Sequence, residues 1–354
     1  MSVSIVIPCL NEEDSIVECV RRVKKAFSEE ENLEILISDN GSTDRSHELA
    51  IQEGARVVEE RRRGYGAAVL CGLREAKGDF VVIGDADNTY DFEDSKALVQ
   101  KLYDGYEFAI GNRLAGQAEK GAMPWAHQHI GTPILGMILN FFYGSKVKDI
   151  NCGLRAIRRD CVDRLKLRSP GMEFASEMVI HAQKAGLKIA ELPIRYYRRR
   201  GGDVKLRTFR DGWRHLRFIL LFAPFYFFVI PGLIAFAVSL YFFASSRLGL
   251  IVLGSLSLLS AFQIVIFGIL AKTYLWTVDS FVVDRHFGIW IDRFKLEYGI
   301  LKAVLFMLVG VIFFGQIDIA NLIRGSTFLA AGVQIFFCSF LISIILFKRR
   351  DKRE

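Results

Sequence analysis

Two aspartates one residue apart carry the strongest chemical signal in the chain. Asp85 and Asp87 lie in Gly84-Asp85-Ala86-Asp87-Asn88-Thr89-Tyr90-Asp91, directly after the apolar run Phe80-Val81-Val82-Ile83. Such a short run, bounded by a turn, reads as a buried strand. Two carboxylates just beyond a strand can reach one divalent cation from one side. Magnesium suits them, because it takes oxygen ligands, keeps several waters and bridges protein carboxylates to substrate phosphates. The expected ligand is a diphosphate, and the expected chemistry is displacement of a nucleoside diphosphate. An acidic pair in a solvated turn is the other reading of the same residues, so the surrounding elements must decide.

Those elements repeat as β-α units. Val3 to Pro8 reads as a strand, and Asn11 as the N-cap of a helix whose Ile16, Val17, Val20, Val23 and Phe27 recur at helical spacing. Leu33 to Ser38 and Ala55 to Val58 are further strands. Polar loops then fall at the carboxyl ends of the strands, the edge where open α/β sheets bind ligands. Asp39 and Asp85 both stand there, and a carboxylate at that edge can accept hydrogen bonds from a base or a ribose. For Asp44, turn and capping chemistry is the preferred reading.

Gly64-Tyr65-Gly66 resembles a fragment of a dinucleotide fingerprint, but it follows the third strand and lacks the remaining glycine. NAD binding is excluded on that ground. Small residues here would let the backbone and Arg63 approach a phosphate, an exposed basic turn being the alternative. His127 and His129 have no third ligand type nearby for zinc. The six cysteines, at 9, 19, 71, 152, 161 and 338, show no ligand spacing and read as reduced packing residues.

Over its 354 residues the chain is 51% hydrophobic, with a mean hydropathy of +0.26, and the apolar residues are segregated. Up to about Tyr197 the pattern is that of a soluble α/β protein. Beyond Arg217, apolar runs at 218–243, 249–271 and 327–347 are long enough to cross a bilayer, and 300–314 with Lys302 is a fourth span. The reading is a catalytic domain over 1–194, a basic interfacial segment over 195–217, a transmembrane domain over 218–347 and a basic tail over 348–354. Arg195 to Arg217 holds nine Arg or Lys, and Lys272 to Lys295 holds four, whereas the two short connections near Arg247 and Arg324 carry one each. That bias puts the catalytic domain, the middle connection and the C-terminus in the cytoplasm at the cell membrane. No secretory signal is expected ahead of Val3. Trp213, Leu216 and Phe218 among Arg210, Arg214 and Arg217 read as an interfacial amphipathic helix. The net charge of +7 then suits lipid headgroups and lipid phosphate, not nucleic acid.

Several patches in order give the chain a resemblance: Pro8-x-x-Asn11-Glu12, Asp39-Asn40-Gly41-Ser42-Thr43-Asp44, Gly64-Tyr65-Gly66-Ala67 and Asp85-Ala86-Asp87. It resembles the family 2 glycosyltransferases of GT-A fold. Gly111-Asn112-Arg113, Asp149-Ile150-Asn151-Cys152-Gly153-Leu154-Arg155, Glu191-Leu192-Pro193-Ile194 and Arg200-Gly201-Gly202-Asp203-Val204-Lys205-Leu206 narrow it. Over about Val3 to Arg217 the set looks like the polyprenyl-phosphate glycosyltransferases, the group of dolichol-phosphate mannose synthase and bacterial undecaprenyl-phosphate glucosyltransferase. The implied fold is a Rossmann-like, mostly parallel GT-A sheet followed by an all-α membrane domain of four transmembrane helices.

The resemblance also implies roles. Pro8, Leu10, Glu12, Asp39, Arg63, Asp85 and Ala86 would bind the nucleotide, with Asp39 on the base. Asp87 would be the main ligand, and Asp85 the second, of Mg2+ or Mn2+. Arg113, Arg200 and Lys205 would meet the lipid phosphate, and Asp87, Arg113 and Lys205 would carry catalysis. Asp149 and Glu173 are sugar contacts or candidate bases. Thr89 stands where the mannose synthases often have Gln as a further metal ligand, so UDP-glucose is favoured over GDP-mannose; Cys152 stands where Ser is common. The acceptor would be dolichyl or undecaprenyl phosphate, the product a polyprenyl-phosphate monosaccharide, and the enzyme a homo-oligomer. A phosphomonoester has its second pKa near 6 and already offers an anionic oxygen near pH 7. It needs positioning and charge stabilisation rather than a base, unlike a hydroxyl acceptor. A processive polysaccharide synthase usually carries Gln-x-x-Arg-Trp, which is absent. A transporter predicts charged groups within the spans, which are poor in them.

Overall fold

The computed structural model describes residues 2–30, 32–199, 208–278, 283 and 285–350. Arg200 and Lys205, expected on the lipid phosphate, lie outside the described residues, as does 351–354 of the basic tail. The chain divides into two compact units, Met1–Ile219 and Leu220–Glu354.

Among the described residues the first unit has seven strands: β1 Val3–Cys9, β2 Leu33–Asp39, β3 Arg56–Glu59, β4 Phe80–Ile83, β5 Phe108–Asn112, β6 Arg155–Arg158 and β7 Ile189–Pro193. Their order is β3-β2-β1-β4-β6-β5-β7. All pairings are parallel except those of β6, which runs antiparallel to both β4 and β5. The carboxyl ends of β1, β2, β4 and β5 therefore share one edge with the amino end of β6. Val3, Ile5, Val6, Ile7, Leu36, Ile37, Val81 and Val82 are all fully buried, as expected of strands covered on both faces. Helix α1 (Ile16–Ala26) buries Ile16, Cys19, Val20, Val23 and Ala26, one stripe at helical spacing. It begins later than the expected cap at Asn11. Asn11 instead adopts φ 51°, a left-handed conformation that Asn tolerates, and its Oδ1 accepts the Thr43 N–H at 2.7 Å. Asn11 thus ties the loop after β1 to the loop after β2. Asp44 is a turn residue, accepting from Ser46 N and Oγ and from Glu13 N.

Helix α2 (Ser46–Gln52) follows, then α3 (Tyr65–Glu75), α4 (Phe92–Tyr103), α5 (Thr132–Tyr143), α6 (Arg159–Leu165) and α7 (Phe174–Lys184). Helix α8 (Thr208–Leu221) carries the C-terminal part of the expected interfacial segment, from Thr208 on. His215 and Ile219 are its buried face: Ser176 Oγ lies 2.8 Å from His215 Nδ1, and the Tyr143 hydroxyl donates to Ile219 O at 3.0 Å. Trp213 is exposed.

Among the described residues of the second unit, four helices are long and apolar enough to cross a membrane: Phe225–Phe243, Leu248–Val278, Leu296–Phe314 and Ile319–Phe347. The first starts later than the apolar run at Phe218, because Leu221 closes α8 and Pro224 disfavours helical backbone just before it. Packing there uses small residues: a Cβ on Gly310 would stand 2.8 Å from Gly325 O, so the two backbones meet closely.

One buried cation organises the loop before β6. Arg155 is 2% exposed, and its guanidinium donates to three backbone carbonyls: Cys152 at 2.8 Å, Ile150 at 2.9 Å and Ala175 at 3.0 Å. Leaving such carbonyls unpaired costs roughly 1–3 kcal/mol each. Arg155→Met should therefore lower stability by about 3 kcal/mol or more, read as an apparent melting temperature roughly 6–12 °C lower in detergent. An unchanged melting curve would mean the loop holds its shape without this clamp.

Candidate active site

The register of β6 against β4 builds the centre of the site. Ile83 pairs with Arg155 and Val82 with Ala156. Continuing that antiparallel register by two residues sets Gly153 opposite Asp85. A Cβ on Gly153 would stand 2.8 Å from Asp85 Oδ2 and 3.1 Å from the Tyr90 hydroxyl, which accepts the Gly153 N–H at 2.8 Å. Only a residue without a side chain lets the backbone lie this close. Among the described residues Asp85 Oδ1 is buried with no hydrogen-bond partner, while the Tyr65 hydroxyl bonds the same carboxylate. Burial first, and the Asp87 charge second, push the Asp85 carboxyl up to about 7. Asp87 Oδ1 accepts from Thr89 N at 3.1 Å and Thr89 Oγ1 at 2.6 Å. Thr89 therefore orients Asp87. Ala86 is buried between the two aspartates.

Across the same edge, Asp39 at the end of β2 is 4% exposed and accepts from Ser42 N and Oγ. Asn40 Nδ2 donates to Glu60 O and Arg62 O, and its Oδ1 accepts the Gly64 N–H. Arg63 Nη1 donates to Asn40 O at 2.8 Å, so Arg63 lies beside Asp39. Pro8 stands near the end of β1, and Leu10 follows it. Gly64 and Gly66 have a different physical reason from the one the sequence suggested. Their Cβ positions fall 2.2 Å from Pro170 O and 2.2 Å from Ser169 O. Both glycines let α3 pack against the 169–171 loop, and no phosphate is needed to explain them. Glu12 is 8% exposed, and both its oxygens accept from Arg199 Nη2 at 2.7 Å. Arg199 Nη1 also donates to Asp87 Oδ2 at 3.3 Å. The sequence reading missed Arg199, because Arg198-Arg199-Arg200 carries no mark of which guanidinium folds inward.

Arg113 and Asp149 form the third cluster. Asn112 Oδ1 accepts from Leu114 N and Ala115 N and so builds the turn that presents Arg113. Glu191 Oε1 accepts from Lys148 N and Asp149 N and positions the facing loop. Asp149 is wholly buried and accepts from Arg113 N at 3.0 Å, Nε at 2.7 Å and Nη2 at 2.8 Å. Burial works to raise the Asp149 carboxyl, but the Arg113 charge and hydrogen bonds outweigh it and hold it below its ordinary value. The Arg113 guanidinium also lies 5.2 Å from the Tyr196 ring centroid. His127 is pushed down by burial and then by the Arg113 charge, and His129 packs on Trp125. Cys152 donates to Leu154 O, and burial pushes its thiol up to about 12. Glu173, at the start of α7, accepts the Gly171 N–H at 3.2 Å and is not joined to the Arg113 cluster by any described bond.

The residues present fit a hard divalent cation. Asp85 offers a buried oxygen without a partner, and Asp87 Oδ2 already attracts a positive group. Among the described residues no cluster of three or more His, Cys, Asp or Glu is placed to hold a metal. The protein share would be two carboxylates, and the remaining ligands would be water and substrate phosphate, the pattern usual for magnesium.

Residues 4–166 match the model of the family described as glycosyl transferase family 2. The chain is 35% identical over 381 residues to the low-salt glycan biosynthesis hexosyltransferase Agl6 of Haloferax volcanii, covering 96% of this chain and 88% of that one. It is 34% identical over 173 residues to the dolichyl-phosphate hexose transferase of the same organism, covering 49% of this chain and 74% of the relative. Among solved structures, glucosyl-3-phosphoglycerate synthase from Mycobacterium tuberculosis, crystallised with Mn2+, UDP and glucosyl-3-phosphoglycerate, has TM-score 0.50 at 24% identity. That match covers 62% of this chain and 78% of the other, and it shows a shared GT-A fold.

The Arg113–Asp149 geometry separates a structural carboxylate from a base. Removing one partner of a buried pair strands the other charge, at a cost of about 3–5 kcal/mol. Asp149→Asn should lower stability by about that amount in denaturant unfolding. Because the folded carboxyl sits below its unfolded value, the pair's contribution is complete above roughly pH 4 and is lost as pH falls through the folded value. A variant of native stability that has lost only activity would instead mark Asp149 as a base.

Proposed function

The chain belongs to glycosyl transferase family 2, and from that premise we propose that it moves a hexose from a nucleoside diphosphate sugar to a polyprenyl phosphate, with inversion. The product is a polyprenyl-phosphate monosaccharide, made on a dolichyl or undecaprenyl carrier. The observation that carries the reading is the Asp85–Asp87 pair at the carboxyl end of β4, with one buried oxygen left without a partner. Asp39 and Glu12 border it on the side of β1 and β2, where a nucleoside would lie. Magnesium or manganese held by Asp87 and Asp85 supplies charge neutralisation for the departing diphosphate.

The rest follows from what the side chains can do. Thr89 keeps Asp87 in one orientation, and Gly153 keeps room beside Asp85. Asp149 is held by Arg113 in three hydrogen bonds and is poorly suited to take a proton. That supports an acceptor that arrives already ionised, since a phosphate needs no base. Arg113 gives its Nε and Nη2 edge to Asp149, and its remaining donors face the acceptor phosphate in this reading. Arg200 and Lys205, outside the described residues, are proposed for the same phosphate from the sequence alone. The Haloferax relative named as a dolichyl-phosphate hexose transferase supports the same acceptor class. UDP-glucose is the favoured donor because Thr89, engaged with Asp87, stands in place of the further ligand expected of mannose synthases. GDP-mannose is the second candidate. Basic residues flanking the four spans support a catalytic unit and C-terminus on the cytoplasmic side of the cell membrane.

The test uses the full chain in detergent with Mg2+ or Mn2+, a panel of UDP- and GDP-sugars, and either polyprenyl phosphate or the matching polyprenol. Mass spectrometry of the lipid fraction should find one added hexose on the phosphate lipid and none on the alcohol. Asp87→Ala should cut the rate by roughly 10²–10³, as loss of transition-state charge stabilisation does. Transfer to the polyprenol would replace this reading with a hydroxyl acceptor and a base.

A further inference from the structure

Arg199 already contacts the carboxylate oxygen of Asp87 for which a cation there would compete. Its Nη2 donates to both Glu12 oxygens at 2.7 Å, and its Nη1 to Asp87 Oδ2 at 3.3 Å. The Arg199 side chain is 19% exposed, so water screens this bridge only in part. The backbone leading to it is pinned. Tyr197 N donates to Thr89 O at 2.8 Å, and Arg198 N donates to Glu119 Oε2 at 2.9 Å while its Nε reaches Lys120 O. Thr89 thus touches both partners: its carbonyl holds the Arg199 strand, and its hydroxyl and N–H hold Asp87 Oδ1. Asp87 has one oxygen bonded to Thr89 and the other facing Arg199. A cation that uses Asp87 through Oδ2 has to take that oxygen from the guanidinium.

We propose that Arg199 is the resident counter-ion of the donor site, holding Glu12 and Asp87 until a divalent cation and a nucleoside diphosphate arrive together. The inference rests on the reading of Asp85 and Asp87 as the metal carboxylates. A cation arriving alone must take Asp87 Oδ2 from Arg199 Nη1, while Nη2 keeps both Glu12 oxygens. A diphosphate brings anionic oxygens that match the planar fork, so the edge displaced from Asp87 gains an anionic partner when the nucleotide comes with the cation. Cation and nucleotide then bind with positive coupling, and by linkage each tightens the other equally. Arg199 is in this sense a positioning residue. It keeps the acidic site compensated when empty and biases loading toward the cation with its donor.

The experiment titrates MnCl2 into the full chain in detergent and reads free Mn2+ by electron paramagnetic resonance, first alone and then with UDP or GDP. Wild type should bind Mn2+ weakly alone and more tightly with the nucleotide. Arg199→Gln should bind Mn2+ alone about tenfold more tightly, the scale of one charge-assisted hydrogen bond removed, and should gain correspondingly less from nucleotide. Arg199→Lys should fall between them, since a single ammonium cannot bridge both carboxylates as a fork does. Mn2+ affinity that is unchanged or weaker in Arg199→Gln would overturn the proposal. Asp87→Asn separates the two readings. Its loss of Mn2+ binding supports the metal carboxylates, and undiminished binding there would remove the metal site and the Arg199 inference with it.

Discussion

Everything at the functional edge answers to one electrostatic constraint: carboxylates gathered in a partly dry place must be compensated. Glu12, Asp39, Asp85, Asp87 and Asp149 all come to the edge formed by the carboxyl ends of β1, β2 and β4 and the amino end of β6. Burial disfavours each charge, and each finds a different remedy. Asp149 takes the Arg113 guanidinium, Asp39 the Ser42 amide and hydroxyl, and Glu12 and Asp87 share Arg199. Among the described residues Asp85 has the Tyr65 hydroxyl, and one of its oxygens has no partner. That inequality sets Asp85 apart from the other four carboxylates.

Much of this was legible in the sequence for a simple reason. Short apolar runs followed by polar loops mark strand ends, and strand ends in such sheets are where ligands sit. Asp39, Asp85 and Asp87 could be placed from that pattern, and the four apolar runs needed only length and charge to be read as spans. What the sequence hid were contacts between distant positions. The glycines at 64 and 66 looked like phosphate-binding residues because their spacing is familiar. Their true neighbours, Ser169 and Pro170, are about a hundred positions away in the chain. Arg155 was visible only as the end of a motif, since nothing local reveals that it closes on three carbonyls. Asn11 looked like a helix cap because capping and loop-bridging use the same side-chain oxygen. Its bond to Thr43 lies across 32 residues.

The two units meet opposite demands on polar groups. In the sheet unit, polar side chains accept or donate across long sequence separations, as Arg195 does with Asp94 over 101 residues. In the helical unit, hydroxyls turn back on their own helix: Ser239 to Ala235 O, Thr273 to Ile269 O and Ser339 to Ile335 O. A hydroxyl satisfied within its helix can face hydrocarbon without a stranded donor. The helical unit is not wholly local in this respect, since Arg324 Nη2 also reaches Ser245 O across 79 residues.

The strand order also fixes when the site can come into being. β1 to β4 form a contiguous half-sheet of consecutive strands, and β5 to β7 form the other half. The halves join only where β4 meets β6, in a pairing of Ile83 with Arg155 that spans 72 residues. Non-local pairings of this kind close slowly, because chain entropy is lost before the contact rewards it. A chain that has folded only its first half carries Asp85 and Asp87 but lacks Gly153, Arg113 and Asp149 beside them. The seam between the halves carries the candidate site, so its side chains come together only when the sheet closes.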